Sequence, residues 1–225
     1  MTLTPVVLGP DEARAVRDAA GFVVSDLLND THGCRGLHQR RLAFEDGAVL
    51  AGTAAGHGES WFVLGGAGRL DPGGSLVAGT AVWLPRSASY EVIADSGLEI
   101  LATTVRVGSP EDDAPMQVVS LADCAVEYTG DREFRVLLSA GLAFTQFAGL
   151  IPPGRAPAHH HTYDEIVHVL AGRGVVHLAT GDREIGPGTA IYLPPYHEHC
   201  LENTGTEPLR VLGVFHPAGS PAAKR

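Results

Sequence analysis

The chain has 225 residues, with 16 basic and 26 acidic side chains and a formal net charge of −10. That balance disfavours a surface that tracks phosphates, so neither nucleic acid nor an anionic membrane is an expected partner. A composition of 44% apolar and 19% charged residues describes a folded protein and excludes wholesale disorder.

The N-terminus, Met1 to Leu8, carries no basic region and too short an apolar run for export, and nowhere does an apolar stretch approach the roughly 20 residues that cross a bilayer. A cytoplasmic protein is expected. Cys34, Cys124 and Cys200 form no CxxC pattern, which predicts reduced thiols acting as small hydrophobes. Residues 1–33 read as an extension whose best helix candidate is 11–20, with Pro10 before it and Gly21 after it as start and stop signals.

From residue 34 onward the chain breaks into short β-branched and apolar runs cut by its 28 glycines and 15 prolines, the punctuation of many antiparallel strands. These runs repeat. Trp61-Phe62-Val63-Leu64-Gly65-Gly66-Ala67-Gly68 aligns with Val167-His168-Val169-Leu170-Ala171-Gly172-Arg173-Gly174 at an offset of 106. Gly79-Thr80-Ala81-Val82-Trp83-Leu84-Pro85 aligns with Gly188-Thr189-Ala190-Ile191-Tyr192-Leu193-Pro194 at 109, and Gly108-Ser109-Pro110 with Gly219-Ser220-Pro221 at 111. Three stretches in conserved order with a slowly growing offset imply two copies of one unit. The first is assigned to 34–110 and the second to 134–225, joined by a linker over 111–133 that an acidic, proline-bounded stretch, Gly108 to Pro115, introduces.

The chemistry sits in the second copy. In His159-His160-His161-Thr162-Tyr163-Asp164-Glu165, strand alternation places His159 and His161 on one face, about 7 Å apart, and His160 on the other. Glu165, past a tight bend, can return a carboxylate to the same point. The cluster Pro194-Pro195-Tyr196-His197-Glu198-His199 adds a fourth donor from a remote strand. Three imidazoles and a carboxylate suit a divalent transition metal better than Ca²⁺ or Mg²⁺.

These residues resemble the cupin motifs. HxH-x3-E-x6-G reads as His159, His161, Glu165 and Gly172, and G-x5-P-x-G-x2-H-x3-N as Gly188, Pro194, His199 and Asn203, with Tyr196 in place of the middle glycine. The resemblance implies an all-β fold of two tandem cupin barrels, each a double-stranded β-helix or jelly roll, with a short N-terminal helix added. It implies one divalent transition metal per chain, Fe, Mn, Ni, Zn or Cu, held by His159, His161, Glu165 and His199. The offsets put Thr53, Ala55 and Tyr90 at the places of the three histidines in the first copy, where only Glu59 remains, so that barrel is expected to be structural. A small oxygenated or carboxylated substrate follows, with dioxygenase chemistry slightly preferred over isomerase, decarboxylase or aminohydrolase chemistry of the cupin type, or over a non-catalytic metal-binding role. A homodimer is implied by the family alone.

Beyond the ligands, His197 shares the parity of His199, and with Tyr196 it is the candidate for acid–base work. Tyr163 and Tyr192 read as caps of the barrel mouth, Gln146 as an inward-pointing polar residue, and His57, His160, His168, His177, Arg155 and Arg173 as loop or sheet-face groups.

Overall fold

A computed structural model describes residues 3–54, 56–106, 114–139 and 142–222. Ala55, the Gly108-Ser109-Pro110 repeat and most of the acidic stretch that follows it lie outside these residues. Among the described residues regular structure is twenty strands and two short 3₁₀ turns, Asp30–His32 and Leu121–Asp123. None of their helices is long and apolar enough to cross a membrane.

The helix expected at 11–20 does not form. Arg14–Arg17 is a strand, paired antiparallel to Phe22–Leu28 with Val16 opposite Val24. Gly21, at φ 86°, makes the turn between them. Ten residues make fewer than three helical turns, too few to hold without a buried face, and Val16 is 53% exposed. A neighbouring strand offered backbone hydrogen bonds instead, and Pro10 and Gly21 punctuate a hairpin as well as a helix.

The repeat is visible as two barrels built from matching strands. In the first half Gly58–Asp71 and Ser89–Val105 run continuously across both faces of the barrel and gather into one nine-stranded sheet. In the second half each of these is broken in two. Asp164–Ala171 and Gly174–Leu178 take the place of the former, and His199–Asn203 and Leu209–His216 that of the latter. The result is a seven-stranded sheet facing a four-stranded one. The first break falls at Gly172, in left-handed conformation at φ 87°, where a Cβ would come within 3.0 Å of the Leu209 backbone.

The two halves exchange edge strands. Val6–Leu8 pairs with Ala190 to Tyr192 of the second barrel, while Gln117–Ser120, which follows the first barrel in the chain, pairs with Thr80 to Trp83 of the first. One edge of each of the two large sheets is thereby covered by a segment from outside its own repeat. Between the barrels lies a core that draws on both, including Leu28, Leu37, Phe62, Trp83 and Leu101 from the first and Phe144, Ile166, Tyr192, Leu212 and Val214 from the second. At its centre Trp83 packs on Phe144 with ring centroids 5.0 Å apart. Gly58 is required there, because a Cβ would meet Trp83 at 1.8 Å.

A buried polar pair crosses this core. Gln39 reaches His168 Nδ1 at 3.3 Å and donates to Thr103 Oγ1 at 3.3 Å. Gln146 occupies the matching position in the second barrel, opposite Val214 as Gln39 is opposite Thr103. It does not point into the second barrel, contrary to the sequence expectation. Phe147, Gly149 and Ile151 line that interior, and Gln146 is on the other face of the strand, fully buried, with no partner for its amide among the described residues.

Burial, with the Arg41 charge adding, pushes His168 down to about 4. Its unfolded value is about 6.5, so between pH 6.5 and 4 the unfolded chain takes up a proton that the folded one refuses. Its contribution to stability is complete above pH 6.5 and is lost as pH falls toward 4. Urea unfolding at pH 7 and pH 5 is expected to show a loss from this residue of about 2 kcal/mol. That increment should be absent from His168→Leu, and an unchanged difference between the two pH values in the variant would contradict it.

Candidate metal centre

The two histidine segments meet through backbone hydrogen bonds. His159 and His199 form an antiparallel bridge, His159 N–H donating to His199 O at 3.0 Å and His199 N–H to His159 O at 2.9 Å. His161 stands beside this bridge, and the donor nitrogens of His159, His161 and His199 lie within 4.8 Å of one another. The predicted triad is therefore assembled, though by an isolated bridge and not by the continuous strand that the alternation argument assumed. Glu165, at the start of Asp164–Ala171, places Oε2 at 3.1 Å from His161 Nε2. That is about the spacing of two adjacent ligands on one ion with bonds near 2.1 Å.

The imidazoles are set for ligation. His159 Nδ1 lies 3.0 Å from the carbonyl of Pro157, and His199 Nδ1 lies 2.9 Å from that of His197. A carbonyl only accepts, so both Nδ1 atoms carry the proton and both Nε2 atoms keep a lone pair. Burial pushes His199 down to about 4 and also lowers His159, so both rings are neutral at pH 7. Burial opposes charge on Glu165, but the surrounding imidazoles, His161 first, outweigh it and hold the carboxyl below its ordinary value. A divalent cation would supply counter-charge to this buried carboxylate. The donor set fits such an ion.

The family model for the Cupin domain matches residues 147–215, the stretch that contains the triad, Glu165 and Asn203. That stretch of the chain carries a Cupin domain. Among curated relatives, an uncharacterized protein of Methanocaldococcus jannaschii is 40% identical over 58 residues, 26% of this chain and 46% of that one. The glucose-6-phosphate isomerase of Thermococcus kodakarensis is 39% identical over 56 residues, 23% of this chain and 30% of the relative. These matches span under half the length of either relative. The double barrel is shared with protein Ylba of E. coli, at a TM-score of 0.81 and 13% identity, covering 95% of this chain and 91% of that one. It is shared as well with the Lactobacillus farciminis oxalate decarboxylase, at 0.79 and 15%, covering 96% and 88%.

Not every candidate joins the cupin site. Tyr196 is 72% exposed, at φ 66°, and it is the backbone N–H that reaches inward, to His161 O at 2.7 Å. His197 is tied by Nδ1 to the carbonyl of Pro195 at 3.0 Å, and neither residue lines the cavity beside the triad. The parity argument fails because the strand begins only at His199, and residues 194–198 are a turn. His160 faces outward, 6.5 Å from the Tyr196 ring. His177 is held between Asp182 and Glu202 on the outer sheet, and Arg155 donates to Cys200 Sγ at 3.2 Å. Tyr192 is buried and donates to Asp164 Oδ1 at 2.5 Å instead of capping the mouth. Asn203 ties the strand end to the carbonyls of Ile151 and Glu207, both at 2.8 Å.

The cavity contains groups that sequence reasoning passed over or undervalued. His161 stacks on Tyr163 at 4.6 Å, Tyr163 on Phe215 at 4.6 Å, and Phe215 leans on Phe147 at 5.8 Å, an aromatic column that holds one donor ring in place. Phe147 has room only because residue 213 is glycine, where a Cβ would meet the ring at 2.1 Å. Arg132, at the start of Arg132–Leu138, lines the same cavity, and its charge adds to burial in lowering His159. The repeat held no cue to Arg132, because the first copy has no matching chemistry to compare.

In the first barrel the surviving carboxylate has a different counter-charge. Glu59 accepts from Arg40 Nη2 and from Trp61 Nε1, each at 2.7 Å. Arg40 lies on the strand that matches the one bearing Phe147, so a guanidinium serves here where the second barrel offers imidazoles. Tyr90, at the place of His199, packs edge-on against Trp61 at 5.0 Å. His57 is exposed in its turn.

Proposed function

We propose that the chain is a mononuclear divalent-metal enzyme acting on a small oxygenated or carboxylated metabolite, with His159, His161, Glu165 and His199 as ligands. The observation that carries this reading is the convergence of His159, His161 and His199, with the buried Glu165 carboxylate 3.1 Å from His161, at the wall of a cavity of about 90 Å³. An ion bound there supplies a Lewis acid and a template for substrate oxygens. The chain's own part is to hold the donors in place, exclude water with Phe147, Phe215 and Val167, and orient the substrate. Three free cysteines, two of them buried, accord with a reducing, cytoplasmic setting.

One feature of the lining favours the dioxygenase branch. Beyond the four donors the described residues offer the cavity no further imidazole, and the Glu133 carboxylate is turned toward Arg135 at 3.6 Å. Isomerisation needs a group that shuttles protons, whereas an apolar, base-poor cavity suits dioxygen. The names of the relatives point the other way, toward isomerase and decarboxylase chemistry.

Reconstitution with Fe²⁺, Mn²⁺, Ni²⁺ or Zn²⁺ in turn, followed by metal analysis, O₂ uptake and turnover of a panel of small acids and hydroxy-ketones, tests the proposal. One ion per chain with turnover is expected, and substrate-linked O₂ uptake with Fe²⁺ identifies the oxidative branch. Metal-dependent turnover without O₂ uptake would replace that branch by isomerase, decarboxylase or aminohydrolase chemistry. Bound metal with no turnover across the panel would make the protein a binder.

A further inference from the structure

We infer that the cavity beside the histidine triad takes a small carboxylate with an apolar body, and that Arg132 is the residue that grips its carboxylate. The inference rests on the metal-site reading for its location, and it names the substrate class that the reading leaves open.

Three observations converge. Arg132 and Phe134 project from the same face of Arg132–Leu138 into the cavity. Glu133 between them also borders the cavity, with its carboxylate 3.6 Å from Arg135. Arg132 itself pairs with no carboxylate among the described residues, since Glu165 is engaged by His161 and Glu133 by Arg135. A part-buried guanidinium without a counter-ion presents a planar fork of donors that matches a carboxylate in bidentate geometry.

Phe134, Phe147, Ile151, Val167, Val211 and Phe215 make most of the remaining wall hydrocarbon, with Thr129, Glu133 and Tyr163 as its other polar residues. The hydrocarbon part of the wall leaves hydroxyls of a polyol without partners. The room is small as well. The cavity measures about 90 Å³. One anionic end, an apolar remainder and a few heavy atoms describe a short aliphatic or 2-oxo monocarboxylic acid. Its acid group would lie at Arg132 and its other end toward the histidines.

The test is calorimetric titration of the full-length, Zn²⁺-loaded protein with 2-oxobutyrate, with its neutral counterpart 2-butanone, with oxalate and with glucose 6-phosphate. The wild type is expected to bind 2-oxobutyrate at least tenfold more tightly than each of the other three. Arg132→Gln should weaken 2-oxobutyrate by about thirty- to a hundredfold while leaving 2-butanone unchanged, because a desolvated charge pair is lost. Arg132→Lys, which keeps the charge but loses the fork, should fall between the two. Circular dichroism and metal content measured on the same samples should match the wild type. Equal 2-oxobutyrate binding by wild type and Arg132→Gln overturns the inference, as does a preference for 2-butanone, oxalate or the sugar phosphate. Failure of the metal reading is distinct: the wild type would then retain no Zn²⁺. Titration of that metal-free protein with butyrate, with and without Arg132→Gln, would still decide the role of Arg132.

Discussion

Replacement of His161 by alanine is expected to lower bound metal from about one ion per chain to less than about a tenth after desalting, with the barrels still folded. Four donors hold the proposed ion, and His161 is the one that connects the His159–His199 bridge to Glu165, through the 3.1 Å approach of Nε2 to Oε2. Its loss leaves three donors and removes the nearest imidazole from a buried carboxylate, which should reduce affinity by at least about a hundredfold. The fold should survive, because His161 lies on a cavity wall and its ring packs mainly on Tyr163. The control is His160→Ala, one position away but facing Tyr196 at the surface, which should retain its metal. Elemental analysis with far-ultraviolet circular dichroism reads both. Full metal content in His161→Ala would remove this residue from the ligand set.

The second large effect is expected far from the metal. Trp83→Ala should destabilise the chain by about 3–5 kcal/mol, the usual loss for truncating a large buried aromatic ring. For a chain of this length that corresponds to a fall in melting temperature of roughly 6–20 °C. Trp83 is 1% exposed, lies in the core shared by the two barrels, and packs on Phe144 of the second. The indole also donates to the carbonyl of Ala114 at 3.3 Å. Metal content at low temperature should be unchanged, since Trp83 does not line the cavity. Denaturant unfolding decides the matter: a loss below about 1 kcal/mol would mean that the first barrel does not support the second.

Much of this protein could be read along the chain because its information is local. The histidines of the two motifs, His159, His161 and His199, meet in the fold with Glu165 beside His161, and the glycine that closes the first motif, Gly172, does break the strand. Where local reasoning failed, pairing and packing outside the segment itself decided the outcome. Residues 11–20 carried signals that suited a helix or a hairpin equally, and pairing with Phe22–Leu28 selected the hairpin. His197 had the parity of an inward residue, but parity holds only inside a strand, and the strand starts two residues later. Gln146 was polar on a strand near the motif, and only the packing of one barrel on the other shows which face it takes.

The sequence by itself determined the duplicated all-β architecture and the residue types of the candidate metal centre, because strand periodicity and motif spacing are properties of neighbouring residues. The tertiary structure alone decided the exchange of edge strands, the aromatic column behind His161, the guanidinium that serves Glu59 in the first barrel and the arrival of Arg132 beside the triad. Each of these depends on side chains or strands brought together across tens of residues by sheet pairing and burial. No period or motif along the chain encodes such a contact.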